Sequence, residues 1–241
     1  MTNILRLCAA LLLAATAASA QAVNYAGTTF EIEMIVFERI GGMENSSEDW
    51  PAAPRLRYPD KWVDFDTATG GAPLLVPAAT QLSNKAAALN RSGDMRVLFH
   101  KAWRQVLQQK RNSPAIIIDS GENPGSQSRL GGSVTLSVAR YLHLSTNLWL
   151  SEPSDDNTGI PLPLPPKAAT EEPLDLMSTA DFRPAMADRA LAPDTTYARH
   201  VALLQAERRM RSGELHYIDH PAFGVLIEVR TITSAEEASG T

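Results

Sequence analysis

Across residues 133–150 apolar and polar side chains alternate with a period of two. Val134, Leu136, Val138, Leu142, Leu144, Leu148 and Leu150 fall on one face, and Ser133, Thr135, Ser137, Tyr141, His143 and Trp149 on the other. That spacing is the signature of a strand, and a run this long bends or bulges. Residues 30–38 alternate apolar and acidic positions and then become continuously apolar, which predicts an opening strand buried on at least one face. Gly41 and Gly42 end it. Residues 95–103 read as a strand with Val97, Phe99 and Lys101 on one side and Leu98, His100 and Ala102 on the other. Residues 115–118 are a short apolar strand, and 119–129 a turn-rich connection. Between the first strands lies an irregular, partly packed loop over 43–73 carrying Trp50, Trp62 and Phe65. Residues 82–89 make the one clear helix, rich in alanine, with Leu82, Ala86 and Leu89 on one side and Gly93 just past its end.

Eight of the sixteen prolines crowd into 151–195. Proline lacks the N–H that a ladder needs, so this segment reads as a long excursion, extended or irregular; a polyproline ligand for another protein is the alternative. Residues 201–229 then read as a hairpin closed at Ser212-Gly213 followed by a further strand, with Gly213 at a position tolerant of positive φ. A rival reading makes 197–211 a helix, since Tyr197, Val201, Leu204 and Arg208 also fit a helical face. The strand reading gives an α+β fold: a mostly antiparallel sheet, one or two packing helices and a long proline-rich loop.

The N-terminus changes the picture of where this fold operates. Arg6 precedes an apolar run from Leu7 to Ala17, and Ala18-Ser19-Ala20 supplies a small-x-small cleavage signature. The run is too short for the ~20 residues that span a bilayer. The expectation is a signal peptide over 1–20 and one domain over 21–241, exported and without a membrane span. Cys8, the single cysteine, lies inside the apolar run, so the mature chain has no thiol for disulfides, metal sites or catalysis. With Arg6 removed from the 22 basic residues, against 27 acidic ones, the net charge moves from −5 to about −6. A mildly acidic protein lacks the basic footprint that nucleic acid requires. Any anionic ligand must be held by a local cluster of arginines.

Such a cluster stands near the C-terminus, in Arg208-Arg-Met-Arg-Ser-Gly-Glu-Leu-His-Tyr217 and Asp219-His-Pro-Ala-Phe-Gly224. Together with the opening strand over 31–38, with His100-Lys-Ala-Trp-Arg-Gln105 and with Arg140-Tyr-Leu-His-Leu144, this block resembles the CsiV family of periplasmic peptidoglycan-binding proteins. The resemblance implies a non-catalytic periplasmic factor that binds peptidoglycan and supports cell-wall synthesis by a class A penicillin-binding protein and its outer-membrane lipoprotein activator. An adaptor between envelope proteins, or a hydrolase of the same polymer, is the alternative.

The residues themselves suggest where binding occurs. A hairpin closing at Ser212-Gly213 sets Arg211 opposite Glu214, Arg209 opposite His216 and Arg208 opposite Tyr217. Arg209, Arg211, Glu214 and His216 then share a polar face, while Met210, Leu215 and Tyr217 share a core face into which Arg208 intrudes. Guanidinium forks grip carboxylates, which abound in peptidoglycan stem peptides. The opposing reading is that these arginines pair with Glu207, Glu214 and Asp219 to stabilise the hairpin. Arg208, Arg209, Arg211, Glu214, His216, Tyr217, Asp219 and His220 are the candidate peptidoglycan contacts, with the alternative that Asp219 accepts hydrogen bonds from the imidazole or from turn amides. Trp103, Arg104 and Tyr141 form a second candidate group, as aromatic faces that stack on sugars and a polar partner; plain packing is the alternative for both aromatics. His216 and His220 are four apart, which on a strand separates them by about 13 Å, too far to share one metal ion. No Gly-x-Ser-x-Gly elbow and no glycine-rich phosphate loop occurs, and no acid pair stands out for glycan cleavage. Neither an enzyme, a metal nor a cofactor is expected.

Overall fold

The computed structural model describes residues 25–47, 50–69, 72–120, 129–154, 158–166 and 196–232. Its organising strand is β1 (Thr29–Arg39), buried on both sides along most of its length. That explains why its apolar run is continuous: Ile32, Met34 and Val36 face one layer, while Ile35 and Phe37 face another. After β1 come a single-turn helix α1 (Gly42–Asn45) and the short strands β2 (Trp62–Val63), β3 (Ala68–Thr69), β4 (Ala72–Pro73) and β5 (Val76–Pro77). Helix α2 (Ser83–Arg91), β6 (Met95–Val106), β7 (Ala115–Ile117), β8 (Arg129–Val138) and β9 (Leu142–Pro153) follow. The remainder is β10 (Ile160–Pro161), β11 (Tyr197–Met210), β12 (Leu215–Asp219) and β13 (Phe223–Thr231).

The strands form two principal sheets. The first has the order β12-β13-β1-β6-β5 and the second β10-β11-β9-β8-β7-β2; β3 and β4 pair separately. All pairings are antiparallel except β2 with β7. One buried cluster draws on both sheets, with Ile32, Met34, Trp103, Val225 and Val229 from the first and Val134, Leu136, Leu144, Leu148 and Leu204 from the second. The sheets therefore pack face to face. On the far side of the first sheet, Leu82, just before α2, and Ala86 within it cover Ile35 and Phe37.

Several expectations meet this structure unevenly. The fold is dominated by antiparallel sheet, as the alternation implied, but helices contribute less than an α+β label suggests: α1 has four residues and α2 nine. The single long run over 133–150 is a hairpin, β8 turning into β9 at residues 139–141, and every apolar residue assigned to its inner face is buried. On the outer face Trp149 is buried too. It lies across Gly131, its register partner, where any Cβ would collide with the indole, and Tyr58 meets it edge-on at 5.0 Å. The proline-rich stretch enters the sheets at its margins, contrary to expectation: Pro153 closes β9, and Pro161 lies in the edge strand β10, where a missing N–H faces outward without harm. The rest of that stretch lies largely outside the described residues, as does the expected signal peptide over 1–20.

Candidate functional site

The C-terminal block is divided between the sheets. β11 pairs with β9 through twelve register positions, whereas β12 has only five residues and pairs with β13. The longer apolar match with β9 prevails, so the expected hairpin does not form. Arg209 lies opposite His143 and Arg208 opposite Leu144; Tyr217 lies opposite Leu226 and His216 opposite Ile227. Ser212-Gly213 is a turn, but one that carries the chain from one sheet to the other. Gly213 has φ 77°, its N–H donates to the Val229 carbonyl at 2.9 Å, and the Ser212 hydroxyl donates to the same oxygen at 3.1 Å. Arg211 does reach Glu214, at 3.4 Å with both side chains more than half exposed, and its N–H donates to His216 Nε2 at 3.2 Å. Met210 is buried as expected, but Leu215 and Tyr217 are exposed, as is Arg208.

What this crossing creates is a groove at one end of the sandwich. The ends of β8 and β11, the starts of β1 and β9, and the last residue of β13 enclose about 270 Å³ there. Phe30, Val138, Leu142 and Met210 form a buried apolar floor. Tyr25, Arg140, Tyr141 and Arg211 form the rim, with both tyrosines about two-fifths exposed (42% and 41%). The Arg209 guanidinium lies 4.5 Å from the centroid of the Tyr141 ring, and that of Arg140 lies 5.7 Å away. Among the described residues no carboxylate lies within ion-pair distance of Arg140, Arg208 or Arg209. A guanidinium attracted to a ring rather than paired with a carboxylate keeps N–H groups to donate, so the rim presents donors beside an apolar floor. Arg140 therefore pairs with no acid among the described residues.

The remaining members of the block lie at the other end of β12. There Asp219, Tyr217 and Arg39 satisfy one another: Arg39 donates to Asp219 at 2.6 Å and to the Tyr217 hydroxyl at 2.7 Å, and Tyr217 donates to Asp219. Hydrogen bonds from Tyr217 and Arg39 hold the Asp219 carboxyl below its usual range, while burial and the adjacent carboxylate push the Tyr217 phenol up. His220 stacks between Trp50 and Phe223, with centroids at 5.7 and 4.9 Å, and its Nδ1 accepts from the Ala222 N–H at 3.2 Å. This trio and the stacked imidazole are occupied with their neighbours, as turn-stabilising residues. Thr231 in the groove and Phe223 here are eight ladder steps apart on β13, about 27 Å. Tyr217, Asp219 and His220 therefore do not belong to the arginine site.

Trp103 and Arg104 also leave the candidate group. Trp103 is fully buried between the sheets, edge-on to Phe65 at 5.4 Å, with its indole N–H donating to Gln105. Arg104 is on the opposite face, where its Nε–H donates to Glu31 at 3.1 Å. It joins a network in which Arg230 reaches Glu31 and Glu228 at 3.1 and 3.3 Å. Next to it Glu33, wholly buried, accepts from the N–H groups of Gln81 and Leu82 at 2.7 and 2.8 Å and meets His100 at 2.8 Å. Burial alone would raise the Glu33 pKa, but these hydrogen bonds outweigh it and hold the carboxyl below its ordinary value. Glu33 thus ties the residues that lead into α2 to the sheet, while Glu31 pairs with arginines of the neighbouring strands.

A comparison with family models places the chain among known proteins: the model described as "Peptidoglycan-binding protein, CsiV" matches residues 7–232. The chain belongs to the CsiV family. No curated protein and no solved structure matched it. Membership in a peptidoglycan-binding family points to an envelope location, and among the described residues no helix is long and apolar enough to cross a membrane. Of the residues proposed from sequence, Arg209, Arg211 and Tyr141 meet at the groove, with Arg208, Glu214 and His216 nearby in the chain. Arg140 and Tyr25 complete the rim. The signal for Arg140 was in the sequence as Arg140-Tyr141, two exposed-type residues at the point where a long alternation turns; Tyr25 left no comparable signal.

Proposed function

We propose that the chain is a non-catalytic, periplasmic CsiV-family factor that holds peptidoglycan at the Tyr141 groove. One observation carries the reading: an exposed tyrosine ring flanked by the guanidinium groups of Arg209 and Arg140 at the mouth of an apolar groove, with no carboxylate on either arginine among the described residues. A sugar ring can lie on the Tyr141 and Tyr25 rings, with an attached stem peptide entering the groove. Its carboxylates then meet the N–H edges of Arg140, Arg209 and Arg211 in bidentate fashion. All of these groups bind; none is arranged as a nucleophile–base pair. Following the family resemblance, the same binding would support a class A penicillin-binding protein and its outer-membrane lipoprotein activator.

The test is sedimentation with purified sacculi. The chain from residue 21 onward should pellet with the polymer. Replacing Arg209 and Arg211 together by alanine should cut retention at least tenfold, since a hydrogen bond to a charged group is worth about 1.5–3 kcal/mol. Thermal unfolding should shift little, because both side chains are exposed. Retention unchanged in that variant would exclude the groove, and release of muropeptides over time would establish a hydrolase instead.

A further inference from the structure

The two strands that bring Arg209 to Tyr141 carry a polar strip away from the groove. From Val201 to Met210, β11 pairs with β9 without a register shift. Leu144, Leu148, Leu204 and Met210 enter the core between the sheets, so the positions alternating with them face outward. The outward pairs are Arg209 with His143, Glu207 with Ser145 and Gln205 with Asn147. Gln205 donates to the side-chain oxygen of Asn147 at 2.9 Å, and Lys110 neutralises Glu207. His143, Gln205, Glu207 and Arg209 are all exposed. The strip therefore offers donors and acceptors and no unpaired acid. Past Asn147 the same face is covered: Trp149 and Val201 are buried against Leu56, Tyr58 and Ile160.

At that cover a cleft of about 1030 Å³ lies between the 50–57 segment and the start of β11. Leu56, Ile160 and the buried Val201 give it an apolar floor. Basic side chains line it. Arg57 is paired with Asp60 and His200 with Glu152. Arg55 and Arg199, both exposed, have no carboxylate within ion-pair distance among the described residues. Trp50 lines the cleft too, but its ring stacks on His220 and its N–H donates to the Met43 carbonyl at 3.0 Å. The cleft thus repeats the apolar floor and unpaired guanidinium groups of the Tyr141 groove, without a free ring. Val201 in the cleft and Met210 in the groove are nine ladder steps apart, roughly 31 Å at about 3.4 Å per step.

We infer that the cleft is a second anchor for the same polymer. One peptidoglycan strand lies along the β9–β11 strip, with a stem-peptide carboxylate held by Arg55 and Arg199 and another held at the groove. This rests on the groove being a peptidoglycan site. Carboxylates match the guanidinium forks at the two ends, and the uncharged hydroxyl and acetamido groups of the glycan match the donors and acceptors between them. Lacking a free ring, the cleft holds a short fragment weakly. Once the groove has captured a strand, the second contact is intramolecular and adds affinity through effective concentration. An acidic protein segment would need the cleft alone; the polar strip that joins it to the groove favours the polymer.

Two ligands separate the anchors: a soluble disaccharide-peptide, which reaches one site at a time, and soluble glycan strands several disaccharides long with their stem peptides attached. Both are labelled with fluorescein and titrated against the chain from residue 21 onward, with anisotropy as the readout. The long strands should bind at least about tenfold more tightly than the disaccharide-peptide. R55A combined with R199A should abolish that gain and cut sacculus retention several-fold. It should leave disaccharide-peptide affinity unchanged, which also shows that the variant is folded. R209A combined with R211A should weaken binding of both ligands. A gain with length that survives R55A/R199A, or sacculus retention equal to the wild type in that variant, overturns the second anchor and leaves the groove standing. Loss of retention in R55A/R199A with none in R209A/R211A overturns the groove, and the two-anchor arrangement with it. A glutamate-rich peptide whose binding R55A/R199A abolishes, with long-strand affinity unchanged, overturns the proposal by assigning the cleft to a protein partner.

Discussion

Tyr141 and the arginines around it are the groups on which the proposed binding rests. The ring is fixed at the β8–β9 turn, and Arg209 reaches it from the neighbouring strand, so the guanidinium is oriented before any ligand arrives. A cation–π interaction at an exposed site is worth about 0.5–1 kcal/mol. Arg209→Lys keeps the charge but loses the planar stacking, so sacculus retention should fall roughly two- to fivefold, less than for Arg209→Ala, in a pelleting titration. Trp103 is the opposite case. Sequence alone left its aromatic ring open between sugar platform and core, because both uses favour the same residue type on a strand. Burial decides it, and Trp103→Ala should cost about 3–5 kcal/mol in urea unfolding, as other large-to-small core changes do.

Among the elements, α2 depends on a side chain that sequence reading assigned merely to a strand pattern. Glu33 reads as the polar member of an alternation, yet it is wholly buried and accepts the N–H groups of Gln81 and Leu82 immediately before α2. Glu33→Gln should destabilise the protein by about 1–3 kcal/mol, through the loss of charge-assisted hydrogen bonds. The carboxyl has its pKa lowered on folding, so its stabilisation is complete above the ordinary value of 4.5 and is lost as pH falls through the folded value below that. The wild type should therefore lose stability more steeply than Glu33→Gln on acidification below about pH 4.5, measured by chemical unfolding at a series of pH values. Strand positions were legible because a period of two survives in one sequence. The partner of β11 was not. Alternation tells a strand which face to bury, but it carries no information on which neighbour supplies the ladder, and Ser212-Gly213 fits a sheet-to-sheet crossing as well as a hairpin.

At the scale of the molecule, the proposed binding groove sits where the core of the sandwich leaves one end open. Two sheets were invisible to a reading that could count strands but not layers. The outward charge was legible as a cluster, while its division between the arginines around Tyr141 and a self-satisfied Arg39–Tyr217–Asp219 trio was not, since Arg39 is some 180 residues upstream. Exposed guanidinium–carboxylate pairs are screened over about 8 Å at physiological salt and over shorter distances above it. Sacculus retention should accordingly fall several-fold between about 0.05 and 0.5 M sodium chloride, with the melting temperature nearly constant over that range.

Where the polymer sits can be read from backbone amide shifts as soluble disaccharide-peptide fragments are titrated into isotopically labelled protein from residue 21 onward. Perturbations concentrated at Tyr25, Arg140, Tyr141, Arg209 and Arg211 are the expected result. Shifts confined to the Arg39–Asp219 end, or spread along β11 without touching Tyr141, would contradict the groove as the peptidoglycan site.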